Sequence, residues 1–476
     1  MDSLLKLILL PLLAAGLSLL KLNPALSRGG VSLIFWSQFA YLIYLLEPVL
    51  LGKIKVLTLV PGIAADKIGA LFALLTTLVV ATAMTHACFF FQNESQAEPG
   101  SEEHVRIFYF SASLLLMAMT FVCFCDNLGY LWIAIEGTTL ASAALVFHSR
   151  TKHSLEATWK YLIICSVGIA FALFGTILIF ASSQQAVDAV GTLEISGLMA
   201  MAPKLNYSLL RLGFVFCLLG YGTKAGIFPL HSWLPDAHSE APAPGSAMLS
   251  GGLLNCALLA IFRLSQIVLS AGHENLALKL PLVMGVLSVL AASLFLVRQS
   301  GIKRLWAYSS IENVGIILCA IGLNAPALFF LLALNHSLAK TAIFLLSGNI
   351  IQVCGSKQIH DIKGVLANSP VWAMMLAVSA FAVTGAPPFG AFVSEWGLLA
   401  LCADKGYWWV VASLLMALAL SFVVVSYHVS RCIWGTPAPT YKTLKQLPGA
   451  FFPALLIIST LLAGTTALTQ KLVLLP

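Results

Sequence analysis

Charge is what this sequence has least of. Only 9% of its 476 residues are Asp, Glu, Lys or Arg, and 59% are hydrophobic. Soluble globular domains carry about a quarter charged residues, so the scarcity excludes that class. Blocks of like charge are missing as well. The net charge of +7 comes from basic residues scattered over short segments, which excludes a nucleic-acid-binding face. No C-x-x-C pair occurs. The closest of the ten cysteines, Cys123 and Cys125, are spaced C-x-C, so the thiols read as buried apolar groups, not as ligands of a metal or cluster. Haem-attachment motifs and glycine-rich phosphate loops are also lacking. The chain is expected to hold no cofactor and no metal, and to carry no catalytic residue of its own. Whatever energises it is neither its own redox centre nor its own ATPase.

What the sequence does have is long apolar runs. A hydrocarbon core of about 30 Å needs roughly 20 apolar residues per helix, and runs of that length give about fourteen candidate spans. They lie near 3–22, 30–51, 67–91, 105–125, 127–148, 159–182, 206–228, 243–270, 276–298, 302–324, 326–353, 370–400, 406–433 and 450–474. Little chain remains for a soluble domain. The expected fold is therefore all-α, a polytopic membrane protein in a lipid bilayer. The first run lacks a small-residue cleavage site before a soluble domain and reads as a retained helix, not a signal peptide. Alternating the loops across the bilayer puts about fourteen basic residues on one face and about ten on the other. The positive-inside rule then places both termini outside. Lys442 and Lys445 count toward the inside face; the acidic loop at 94–104 falls there too, but acidic residues count little in this rule.

A charge at mid-bilayer costs a few kcal/mol, so ionisable residues deep in a span are functional candidates. Glu136 lies midway along LGYLWIAIEGTTLASAALVF, Lys224 in GYGTKAGIFP, and Glu312 in AYSSIENVGIILCA. His336 and Lys340 share NHSLAK, where i, i+4 spacing puts them on one helix face. Glu395 follows TGAPPFG at 384–390. Glu312 can also be read as a neutral, hydrogen-bonded acid and His336 as a packed core histidine. A buried lysine is harder to dismiss, because its ammonium must find a partner or lose its proton.

Two Gly/Pro interruptions, GTKAGIFP at 222–229 and TGAPPFG, fall inside hydrophobic runs. Unwound backbone at that depth is tolerated only where protein or a wet cavity surrounds it. Paired broken helices are the best sequence pointer to a transport site. A weak internal echo, AIEGTTLAS around Glu136 against SIENVGI around Glu312, divides the chain into two halves. Protons suit such a chain of groups better than sodium, since a lysine would repel a metal ion.

These residues resemble a known family. GYGTKAGIFPLHSWLPDAHSEAPAPGSAMLSG, IKRLWAYSSIENVGI and NHSLAKTAIFLLSG look like the antiporter-like membrane subunits of complex I and of the group 4 membrane-bound hydrogenases. LWIAIEGTTLASA and LEATWKYLIICSVGIAFALFGT look most like hydrogenase-4 component F and formate hydrogenlyase subunits. The resemblance covers roughly residues 60 to 430 and implies two inverted five-helix repeats with broken helices. Their expected bounds are 105–270 and 276–433, after an N-terminal three-helix segment at 1–91 and before a C-terminal helix at 434–476. It further implies that Glu136 and Lys224 form an ion pair that switches a channel, that His336 and Lys340 match the central relay, and that Glu395 marks the exit. His231, Asp236 and His238 match the loop after the first break and suit proton entry. Asn255 stands where many members carry lysine or histidine, so transfer there needs ordered water. The chain's length resembles that of the shorter subunits of these complexes, without a long lateral helix.

The implied function is proton translocation in a redox-driven complex in the cytoplasmic membrane, beside other membrane and hydrophilic subunits of a hydrogenase-like or complex I-like assembly. Three other readings stay open on the sequence. They are a subunit of an Mrp-type cation/proton antiporter, a membrane partner of a proton-gradient-driven inorganic-carbon uptake complex, and a scaffold that has lost conduction.

Overall fold

The structure, a computed structural model, describes residues 2–95, 101–186, 191–436 and 451–469. Lys442, Lys445, part of the 94–104 loop and the end of the 450–474 run lie outside the described residues. The chain opens with α1 (Asp2–Leu19) and α2 (Pro24–Leu50), whose start is capped by the Asn23 side chain. A β-hairpin follows, β1 (Val56–Val60) against β2 (Ile63–Asp66), antiparallel, with Val56 opposite Asp66. It is a small β addition to a predominantly helical fold, which the all-α expectation did not include. VLTLVPGIAAD is a short β-branched segment around a Pro-Gly turn, and it is too short to stand out between two spans. Ile63 pairs onward with Cys125, so the hairpin closes one end of the bundle.

The helices continue as α3 (Lys67–Ser95), α4 (Ser101–Phe124), α5 (Leu128–Val146), α6 (Lys152–Gln184), the short α7 (Ile195–Ala200), α8 (Tyr207–Ala225) and α9 (Trp233–Glu240). Next come α10 (Ala243–Met248) and α11 (Leu254–Ser270), joined through a π turn at Leu249–Leu253. The remainder is α12 (Leu280–Leu296), α13 (Ile302–Gly322), α14 (Pro326–Cys354), the short α15 (Val365–Asn368), α16 (Pro370–Val383), α17 (Gly390–Asp404), α18 (Trp408–Ile433) and α19 (Phe451–Thr469).

Ten helical segments among the described residues are long and apolar enough to cross a membrane. Their burial sorts them. Ala243–Ser270 and Ile302–Gly322 are 89% buried over their most apolar window, against 28% for Pro24–Leu50 and 33% for Trp408–Ile433. The central helices therefore carry the protein-facing core, and α2 and α18 present apolar residues such as Leu33, Tyr44, Trp408 and Val423 outward, as a lipid solvent permits.

Both interruptions foreseen in the sequence are real breaks. The run at 206–228 stops at Ala225, and the run at 370–400 divides into α16 and α17. The segment after the first break, expected as a loop, contains the eight-residue helix α9. Glycines set the closest helix packing. A β-carbon on Gly220 would strike the Gly168 backbone, one on Gly175 the Gly213 carbonyl, and one on Gly315 the Gly285 carbonyl. Small residues at these crossings let α6 meet α8, and α12 meet α13, backbone to backbone.

Candidate functional site

Asn206 caps the start of α8 by accepting from the Leu209 amide, and Gly226 ends it in the left-handed conformation at φ 76°. A side chain at Gly226 would strike Leu234, so glycine is required there for backbone and for space. The stop leaves Lys224 in the last helical turn, where the carbonyl end of the helix favours a cation. The lysine is buried, 1% exposed. Its Nζ donates to Thr139 Oγ1 at 2.9 Å and to Tyr161 Oη at 2.6 Å, and it lies 4.8 Å from the Tyr161 ring centroid. Tyr161 Oη and Ser142 Oγ share a hydrogen bond of 2.5 Å.

Glu136 lies one turn before Thr139 on α5. Its Oε1 accepts from Ser166 Oγ at 3.2 Å, and its Oε2 is buried with no partner. No salt bridge joins Glu136 to Lys224 among the described residues. The two are linked instead by the turn of α5 that carries Thr139.

The second half has a similar construction. Lys340 on α14 is fully buried and donates to Ser309 Oγ at 2.6 Å and to the Trp306 carbonyl at 3.3 Å. Ser309 lies one turn before Glu312 on α13, and Glu312 Oε1 accepts from Ser421 Oγ of α18 at 2.5 Å. In each half, a hydroxyl one turn from the acid holds the lysine.

Between the halves, the π turn at Leu249–Leu253 loosens the regular helical pairing and presents its carbonyls to α14. His336 Nε2 lies 3.2 Å from the Ser250 carbonyl, and Ser337 Oγ donates to that of Gly251 at 2.7 Å. Asn255 Nδ2 donates to Ser337 Oγ at 2.6 Å and to the Gly251 carbonyl at 3.0 Å. Ser250 Oγ meets Ser310 Oγ at 2.8 Å, beside the Ser309 that holds Lys340. Asn255 thus pins the π turn to α14, and His336 is the titratable group at the junction.

Glu395 stands on α17 just past the second break, 7% exposed. Gly385 in that break has φ 66°, and a side chain there would strike the Glu395 carboxylate. The carboxylate faces a small cavity shared with Asn313, Asn335, His336 and Ser394.

Of the three residues matched to proton entry, His231 and Asp236 lie toward one end of the bundle, while His238 packs on α14 one turn past Lys340. His231 packs its ring against Phe228 and Phe295, with centroids 5.5 Å apart in each case. Asp236 is paired with Arg304 at 2.6 Å and Lys160 at 3.3 Å, which ties α9 to α13 and α6. His238 is completely buried, stacks on Phe344 at 4.9 Å, and has no hydrogen-bond partner at either ring nitrogen. Lys303 donates to the Ser239 and Ala241 carbonyls at the end of α9.

Some buried polar groups were not singled out from the sequence. His86 on α3 is fully buried with Nε2 3.1 Å from Asn349 Nδ2. Arg263 on α11 donates to the Cys123 and Cys125 carbonyls at the end of α4 and pairs with Asp66 at 3.1 Å. Both satisfy the same rule that picked Lys224, an ionisable residue inside an apolar run. Thr139, Tyr161 and Ser309 carry no such signal, because hydroxyl residues are ordinary in membrane helices.

The NADH:quinone oxidoreductase/Mrp antiporter transmembrane family matches residues 125–421, more than half of the chain. The chain belongs to that family. It is 39% identical over 380 residues to a hydrogenase-4 component F homolog of Methylacidiphilum infernorum, across 77% of this chain and 79% of that protein. It is 27% identical over 408 residues to a Na(+)/H(+) antiporter subunit of Bacillus subtilis, across 82% of this chain and 78% of that one. Its fold matches a chain of the membrane-bound sulfane sulfur reductase, an archaeal respiratory membrane complex, with a TM-score of 0.86 at 24% identity, covering 98% and 95% of the two chains. The resemblance read from the sequence is borne out: this is an antiporter-like membrane subunit of the complex I and hydrogenase family.

Proposed function

We propose that the chain moves protons across the cytoplasmic membrane as a subunit of a redox-driven complex with hydrogenase-like partners. Glu136, Lys224, His336, Lys340 and Glu395 are the groups that carry them, and His231, Asp236, His238 and Glu312 assist entry or coupling. The observation that carries this reading is the pair of buried lysines, each held by a hydroxyl one turn from an acid, half-buried Glu136 in one case and buried Glu312 in the other. Hydroxyls and neutral-or-charged lysines pass protons along hydrogen bonds, whereas a metal ion would need converging oxygens and would be repelled by the ammonium groups. The broken ends of α8 and α16 support the same reading, as does the family membership.

In this proposal about fourteen spans cross the bilayer. Five-helix repeats at 105–270 and 276–433 stand in inverted orientation, following the segment at 1–91 and preceding the helix at 434–476. Both termini face outside. The similarity to an Mrp-type protein makes sodium transport the second reading. In vesicles carrying the assembled complex, proton uptake driven by the redox reaction is expected to continue when sodium is replaced by choline and to collapse with a protonophore. An absolute requirement for sodium would transfer the assignment to the antiporter reading. Recovery of hydrogenase large and small subunits with the tagged chain is the matching test of partners.

A further inference from the structure

No hydrogen bond joins His336 to Glu395 among the described residues, yet both face one cavity of about 10 Å³, roughly the room a single water needs. Asn335 stands between them. It neighbours His336 on α14 and is 1% exposed. Its Nδ2 donates to Ser394 Oγ at 3.2 Å, beside Glu395. Its Oδ1 is buried without a partner, and so is Nδ1 of His336, which is 4% exposed. Gly390, the first residue of α17, presses on the amide, for a β-carbon there would strike Asn335 Oδ1. Two residues that line one water-sized cavity beside Glu395 thus each carry a buried polar atom without a partner, as an ordered water with two to four partners would require.

We infer that Asn335 is a positioning residue that holds a water between His336 and Glu395, and that this water carries the proton from one to the other. The inference rests on the proton-translocating reading above. The amide neither gains nor loses a proton. It accepts a hydrogen bond from the water and fixes its orientation, while a proton passes from the imidazolium to the water as the water's own proton passes to the Glu395 carboxylate. Charge and atoms balance without any other reactant. Asn313 also lines the same cavity and is not needed for the step.

The test compares Asn335→Leu and Asn335→Ala in assembled complex, reading protons moved per redox turnover. Leucine keeps the branched outline of the side chain and removes the water's partner, so pumping should fall about tenfold or more. Alanine opens space for a second water and should retain several times more than leucine. A packing role against Gly390 gives the reverse order, leucine tolerated and alanine costly. That order, or equal loss in both, would overturn the inference. Infrared difference spectra of the native complex add a readout independent of assembly of the variants: a buried-water O–H band that shifts in H₂¹⁸O supports the inference, and its absence removes it. Lys224→Met run alongside separates the two levels. If it stops pumping while Asn335→Leu pumps normally, only the water inference fails. If Lys224→Met itself pumps normally, the translocation reading fails first.

Discussion

Lys224 shows how much one side chain can depend on its immediate partners. Its ammonium is buried against a tyrosine ring and two hydroxyls, so it has partners in either protonation state, and the half-buried Glu136 acts through one helical turn. Lys224→Met is expected to leave assembly within about twofold of native and to reduce pumping per turnover by tenfold or more. Lys224→Arg should fail nearly as badly, because a guanidinium keeps its proton at physiological pH and its planar fork does not fit partners arranged for an ammonium. Glu136→Gln should impair pumping too, and Glu136→Gln with Lys224→Met should be little worse than either alone if the pair acts as a unit. Immunoblot quantities and vesicle proton uptake, measured on the same preparations, decide the matter; a well-assembled, well-pumping Lys224→Arg would make the lysine structural.

At the scale of elements, the two breaks do what their Gly/Pro content foretold, and the glycines in them serve space as well as backbone. Gly385 and Gly406 both lie at positive φ, 66° and 76°, yet a side chain at Gly385 meets the Glu395 carboxylate while one at Gly406 meets open space. Each alanine substitution carries the backbone cost of about 1–2 kcal/mol for a left-handed residue. Thermal unfolding of the purified protein should therefore register a loss in both. Only Gly385→Ala is expected to lower pumping, since it also displaces Glu395. Equal pumping by the two variants would mean that the position of Glu395 does not matter to transport. The breaks, the acids and the lysines were legible because Gly, Pro and charge are rare in apolar helices and stand out. The π turn at Leu249–Leu253 was not legible: LSGGL is unremarkable within its run, and only packing against α14 reveals why the ladder loosens there.

For the whole molecule, connections sort to two ends of the bundle. Gly301 pairs with Gln358, and Asp236 binds Lys160 and Arg304, at one end. The hairpin meets Cys125, and Lys405 donates to the Leu323 carbonyl at 3.0 Å, at the other. In the proposed topology the first end faces the cytoplasm. Gly301 is buried and a poor reporter, but Lys152 and Ser300 are exposed at that end, as are Lys53 and Glu274 at the opposite one. In a background cleared of native cysteines, an impermeant thiol reagent applied from outside should label cysteine at 53 and 274 and spare cysteine at 152 and 300. The opposite pattern would invert the topology.

Apolar run length, the scarcity of charge and a few specific motifs were enough to make this a polytopic helical membrane protein of this family, because a bilayer constrains the span directly and leaves little to context. The same reasoning found the buried acids and lysines one helix at a time. What it could not decide was which groups touch. The sequence-based expectation paired Glu136 with Lys224 directly, whereas Lys224 bonds Thr139 and Tyr161. Asp236, matched to proton entry, is held in two ion pairs that tie three helices. Asn335, unnoticed in the sequence, lines the cavity between His336 and Glu395. These outcomes depend on helix rotation and on gaps of a few ångströms between helices distant in sequence, quantities that only the packed tertiary structure defines.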